Sequence, residues 1–191
     1  MSMFILGLIL FFGIHMVRIV AGPWRSRQIA RLGEMPWKGI YSLLSLAAFG
    51  LMLWGYGQTR AAPELWLTPL WARHLAALLT LPVFVLVLAA YVPGNHFKAA
   101  LGHPMLAGIK LWALAHLLCN ARLGDLLLFG SFLAWSVLAF VACRRRDRAA
   151  GVRYRAGSMG ASALVLVLGL GTWAGFAFYG HSWLIGVRPF V

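Results

Sequence analysis

The chain has 191 residues, of which 62% are hydrophobic and only 11% charged, with a mean hydropathy of +0.82. A soluble domain of this size does not carry that balance, so the sequence belongs to the integral membrane class. The net charge of +13 does not point to nucleic acid, because the basic residues lie between apolar runs and not in an aromatic-laced stripe; there they orient helices in a bilayer.

The opening MSMFILGLILFFG lacks a basic leader and a small-residue cleavage site, which predicts a retained first span from Met3 to Val20. The segment from Pro23 to Ser45 reads as a short surface helix leading into the second span, Gly39 to Gly57. Arg25, Arg27 and Arg31 fall roughly on one helical side, and Trp24 and Trp37 sit at interface depth. Headgroup anchoring explains this segment; a sharper reading is a basic mouth for an anionic group. The third span is Leu70 to Val92, with Pro82 expected to kink it. Pro104 to Ala121 is the fourth, Gly124 to Cys143 the fifth, and Ser158 to Gly180 the sixth. Glycines 169, 171 and 175 in the sixth should admit a neighbouring backbone. Cys119 and Cys143 are expected to be thiols.

This reading is an all-α, polytopic bundle of six spans in a single membrane domain over residues 1–191. Charge supports the count. Arg18, Arg25, Arg27, Arg31 and Lys38, then Lys98 and Lys110, then the six arginines from Arg144 to Arg155 place thirteen of the seventeen basic residues on one side. The positive-inside rule then puts both termini on the non-cytoplasmic side. Were the short fourth segment only re-entrant, the six-arginine loop would land on the wrong face. Lys110 is expected to snorkel back to the headgroups.

The fourth segment, HPMLAGIKLWALAHLLCN, carries the chemistry. His116 shares a helical face with Trp112, Cys119 and Asn120. His15, in FFGIHMVR with Arg18 one turn on, is the second imidazole inside a span. Ionisable groups at such depth face the protein interior and hold a partner, either a metal or a hydrogen-bond acceptor. At 1.5 Å per residue the two histidines differ in depth by roughly 8 to 10 Å. That offset suits a large planar cofactor better than one small ion. If they are ligands, Ser42, Ser45 or Asn120 could accept from the second ring nitrogen of each. The plain alternative is an imidazole bonded to a carbonyl of a neighbouring helix. His74 and His181 read as interfacial, His96 and His103 as loop or capping residues. Asp125 is placed to approach the amino end of the fifth span and to pair with Arg122. No GxSxG, HExxH, P-loop, CxxCH or dinucleotide turn occurs. Any enzymatic chemistry must come from a cofactor.

The blocks LFFGIHMVR, RLGEMPWKGIYSLLSL, YVPG, HPMLAGIKLWALAHLL, DLLLFGSFLAW and RRRDR, spread over nearly the whole chain, resemble the NnrU family of bacterial membrane proteins. The resemblance implies a multi-pass protein of the bacterial inner membrane that supports denitrification, through the expression or activity of nitrite and nitric oxide reductases. Its implied partners are the bilayer and respiratory or denitrification membrane proteins. The same domain resembles 15-cis-zeta-carotene isomerase, a haem b protein with two membrane histidines as ligands. By motif those ligands fall on His15 and His116, with Trp112 and Arg18 as cofactor neighbours and a haem propionate as one guest of the basic mouth. The isomerase has a cysteine three residues before its second histidine, where this sequence has Ala113. That departure weakens an isomerase reading more than haem binding. Other functions compatible with the sequence are a polyene-lipid isomerase, a small methyltransferase of the isoprenylcysteine type, and a cofactor-free scaffold or transporter.

Overall fold

The computed structural model describes residues 1–189, and among them all regular structure is helical, without a strand. The helices are α1 (Ser2–Val20), α2 (Gly22–Leu32), α3 (Glu34–Thr59), α4 (Leu70–Tyr91), α5 (His96–Leu101), α6 (Pro104–Cys119), α7 (Leu123–Ala149) and α8 (Met159–Gly175). A π turn (Phe176–Gly180) and α9 (His181–Ile185) extend the last of these. Among the described residues, five continuous stretches are long and apolar enough to cross a membrane: α1, α3, α4, α7 and the run from Met159 to Ile185. Helix α6 is apolar but has only 16 residues. At 1.5 Å per residue it measures about 24 Å, short of a hydrocarbon core of about 30 Å. The expected surface helix is present as α2. It has Pro23 in its first turn, no buried residue, and a stop at Gly33, whose φ of 86° is open to glycine.

The contacts gather into two units. The first comprises Met1–Leu65 and Arg122–Ser131, the second Trp66–Ala121 and Phe132–Val191. In the first, α1 and α3 pack through a reciprocal exchange of large and absent side chains. A Cβ built on Gly7 would come 2.5 Å from the Met52 Cα, and one on Gly55 would come 2.6 Å from the Phe4 Cα. Phe4 and Met52 are both fully buried. Each glycine lies one turn from the large residue on its own helix, so the two backbones meet without a void. At the far end of α3, the buried Asp125 carboxylate accepts from the Tyr56 hydroxyl at 2.6 Å and from the Arg122 backbone N–H at 3.1 Å. The Arg122 side chain goes elsewhere. It bonds Glu64 at 3.1 Å and the Ala62 carbonyl at 3.0 Å. The expected pairing of Asp125 with the Arg122 guanidinium is thus corrected. The carboxylate serves the helix amino end, where unsatisfied N–H groups draw it.

In the second unit α4 packs on α6 and α8. Val85, Ala89 and Val165 form a buried core with Val92 and Phe97 against it. Gly169 makes the close approach expected of the sixth span, since a Cβ there would sit 2.6 Å from the Val85 Cα. Gly171 and Gly175 meet nothing within 4 Å. Helix α4 runs through Pro82. Beyond it, the buried Asn95 donates to the carbonyls of Ala89 and Val92 and caps α5 by accepting from the Lys98 N–H. His96 bonds the Ser162 hydroxyl at 2.8 Å, joining α5 to α8.

Candidate functional site

His15 is half-buried in the first unit, and its Nδ1 lies 2.7 Å from the carbonyl oxygen of Phe11, one turn earlier in α1. A carbonyl cannot donate, so Nδ1 carries the proton. In the neutral ring Nε2 then holds the lone pair. The ring lies beside Phe11, centroids 4.2 Å apart and planes 32° apart, and beside Tyr41 of α3 at 5.6 Å. In the second unit His116 repeats the arrangement. Its Nδ1 is 2.9 Å from the Trp112 carbonyl, again one turn earlier, and the Trp112 ring lies 5.0 Å away. Phe132 meets Trp112 edge-on at 5.3 Å.

The tethers differ from the expected ones. Nδ1 of each ring meets not Ser42, Ser45 or Asn120 but a carbonyl oxygen of its own helix. Helical side chains lean toward the N-terminus, which carries an imidazole back over the preceding turn. Asn120 instead donates to the His116 carbonyl at 2.8 Å, closing the end of α6. Cys119 turns its thiol to the Ala115 carbonyl at 3.2 Å, and both cysteines are free thiols. Ala113 is fully buried.

Below His15 a cavity of about 220 Å³ is lined by Val17 and Arg18 of α1, Arg25 of α2, and Trp37, Lys38, Tyr41 and Ser42 of α3. Arg18 and Tyr41 join it to the turn that carries His15. Of the three arginines read from the sequence as a basic mouth, only Arg25 lines this cavity; Arg27 and Arg31 are exposed, and Arg18 and Lys38 take their place.

The other histidines separate by surroundings. His74 is exposed, and His181 bonds the Val187 carbonyl at 2.7 Å. His103 occupies the N-cap position of α6 but makes no capping bond. Its Nε2 pairs with Asp147 of α7 at 2.7 Å. Tyr154, in the loop after α7, donates to the same Asp147 oxygen. Its phenol is pushed up to about 12, first by burial and then by that carboxylate. This cluster had no signature in the sequence, since its members are 44 and 7 residues apart. Gly102 alone hints at it. Its φ of 73° disfavours a side chain, and a Cβ built there would come 2.6 Å from the Tyr154 hydroxyl oxygen. The Lys110 ammonium sits 3.6 Å above the Phe140 ring centroid, near the arginine-rich end of α7.

The NnrU protein family model matches residues 3–189, nearly the full length. The chain belongs to the NnrU family. No curated protein and no solved structure matches it. Among the described residues of this NnrU chain, no three of His, Cys, Asp and Glu gather as a small metal ion would require.

Proposed function

We propose that this NnrU protein is a six-span protein of the bacterial inner membrane that binds haem b through His15 and His116, with both termini outside the cytoplasm. In this reading it supports denitrification as a redox carrier, sensor or maturation factor beside respiratory membrane proteins. The observation that carries the proposal is the shared tether. Both imidazoles donate from Nδ1 to a carbonyl one turn back, which leaves Nε2 as the donor atom and raises its basicity, as the supporting hydrogen bond does at metal-bound histidines. Haem b held by two imidazoles would supply a one-electron redox centre with no open coordination position. The remaining work falls to the chain. Phe11 and Trp112 restrict ring rotation, and Arg18, one turn from His15, biases its surroundings toward anionic groups. Isomerisation draws no support, because the buried Ala113 stands where the isomerase has its cysteine.

The visible spectrum of detergent-purified protein, expressed with ample haem, tests this directly. A reduced low-spin b-type spectrum is expected, and a colourless protein ends the reading. Topology is tested separately. The thirteen-to-four basic asymmetry counts α6 as a span despite its length, so reporters fused at Gly151 and at the carboxyl terminus should mark opposite sides. A carboxyl terminus in the cytoplasm, with Gly151 outside, would demote α6 to a re-entrant helix.

A further inference from the structure

The cavity between α1, α2 and α3 carries a proposal that does not depend on haem. Three cations line it, Arg18, Arg25 and Lys38, together with the hydroxyls of Tyr41 and Ser42. Near it, Glu34 pairs with Lys38 at 2.7 Å, in an ion pair whose side chains are 62% and 68% exposed. The lining itself thus carries three cations and two hydroxyls, with Glu34 as an acidic neighbour at its rim. Guanidinium forks with flanking hydroxyls match the oxygens of a phosphate, which can accept from several directions at once. Position adds to chemistry. Trp37 lines the cavity and meets Trp24 of α2 at 5.8 Å, and tryptophans of this kind mark the headgroup layer. The helices beside it keep Val20, Ile40, Leu43 and Leu44 exposed, an aliphatic surface along which acyl chains can lie. A free phosphate would have no use for that surface.

We infer that this cavity is a binding site for the phosphate of an anionic phospholipid, seated between Arg18, Arg25 and Lys38 with its acyl chains along α1 and α3. Helix α2 contributes through Arg25, which is half-buried, whereas Arg27 and Arg31 on the same helix are exposed. General attraction of a basic helix to an anionic membrane would use all three arginines alike; a site uses only Arg25. Arg18 is shared with the turn that bears His15, so the test leaves Arg18 in place.

The experiment is native mass spectrometry of the purified full chain titrated with phosphatidylglycerol. Wild type is expected to hold one lipid more tightly than the Arg25→Ala, Lys38→Ala double variant, by about 25-fold at about fivefold per basic residue. The Arg27→Ala, Arg31→Ala variant removes the same charge from outside the cavity and should keep wild-type binding. Phosphatidylcholine should bind at least tenfold more weakly, and millimolar inorganic phosphate should not displace the bound lipid. Equal losses in the two double variants would reduce the site to general charge attraction. Displacement by inorganic phosphate would assign it to the free ion. Loss of a haem spectrum with unchanged lipid retention in Arg25→Ala, Lys38→Ala would assign it to a haem carboxylate, and each of these outcomes overturns the proposal. Unchanged thermal unfolding of both double variants confirms that binding is compared between folded proteins.

Discussion

His15 and His116 are held by the same bond on different scaffolds. Each donates from Nδ1 to the carbonyl four residues earlier. Around His15 the scaffold is aromatic on both helices, with Phe11 on its own and Tyr41 on α3, and it opens into a charged cavity. Around His116 the Trp112 ring is joined by small residues on the same helix. Ala113 and Ala115 are fully buried on α6, and a Cβ built on Gly108 would come 3.2 Å from the Val83 carbonyl oxygen of α4. Both imidazoles lie beside a ring one turn back, Phe11 or Trp112; the second arrangement adds small residues that bring α6 and α4 close together. The difference teaches that the tether is a local property of a helical histidine, while the rigidity behind it comes from packing.

The most severe way to break the comparison is to remove each ring. His15→Ala and His116→Ala should each abolish or profoundly alter the b-type spectrum of the reduced protein. A spectrum that survives one of them unchanged would end the equivalence and leave the other histidine as sole protein ligand.

Next in size are the close approaches that hold the scaffolds. Gly7→Leu in the first unit and Gly169→Leu in the second each force a side chain onto a neighbouring backbone. Each should cost about 1 to 3 kcal/mol, seen as lower thermal stability in detergent. Gly13→Leu and Gly171→Leu, where nothing lies within 4 Å, should be near neutral. Losses of equal size at all four positions would show that helix propensity and not packing governs these sites.

A smaller effect separates the polar anchors. Tyr56→Phe removes the hydroxyl donor from the buried Asp125 and should cost about 0.6 kcal/mol, with an upper bound of about 1.7. The same unfolding measurement reads it. A neutral result would mean that the Arg122 backbone N–H satisfies the carboxylate by itself. The smallest expected change is at Lys110→Met, which exchanges the cation over Phe140 for an apolar chain of similar reach. The cation–π contact is worth about 0.5 to 1 kcal/mol at an exposed site, and greater stability in Lys110→Met would show that desolvation outweighs it.

Much of this was legible in the residues. The span limits Met3–Val20, Gly39–Gly57 and Leu70–Val92 fall within a few residues of α1, α3 and α4, because the length of an apolar run is a property of contiguous sequence. Pro104 and Gly33 punctuate helices for equally local reasons. The surface helix followed from its arginines and tryptophans, and the two free thiols from their scarcity.

The sequence by itself determined the membrane class, the family, the helical segments and the placing of two histidines inside apolar helices, since each rests on composition or on spacings within a turn or two. Tertiary structure alone decided which glycines touch a backbone, that Lys110 covers a ring, that His103 leaves its capping position for Asp147 and Tyr154, and that Arg25 turns into a cavity while Arg27 does not. Glycines 7, 169 and 171 are alike in sequence. Only the neighbour across the helix interface distinguishes them, and that neighbour lies tens of residues away along the chain. A hydrogen bond or a cavity wall is worth little until packing fixes both of its sides, and the packing partner of a helix face is not encoded in the face itself.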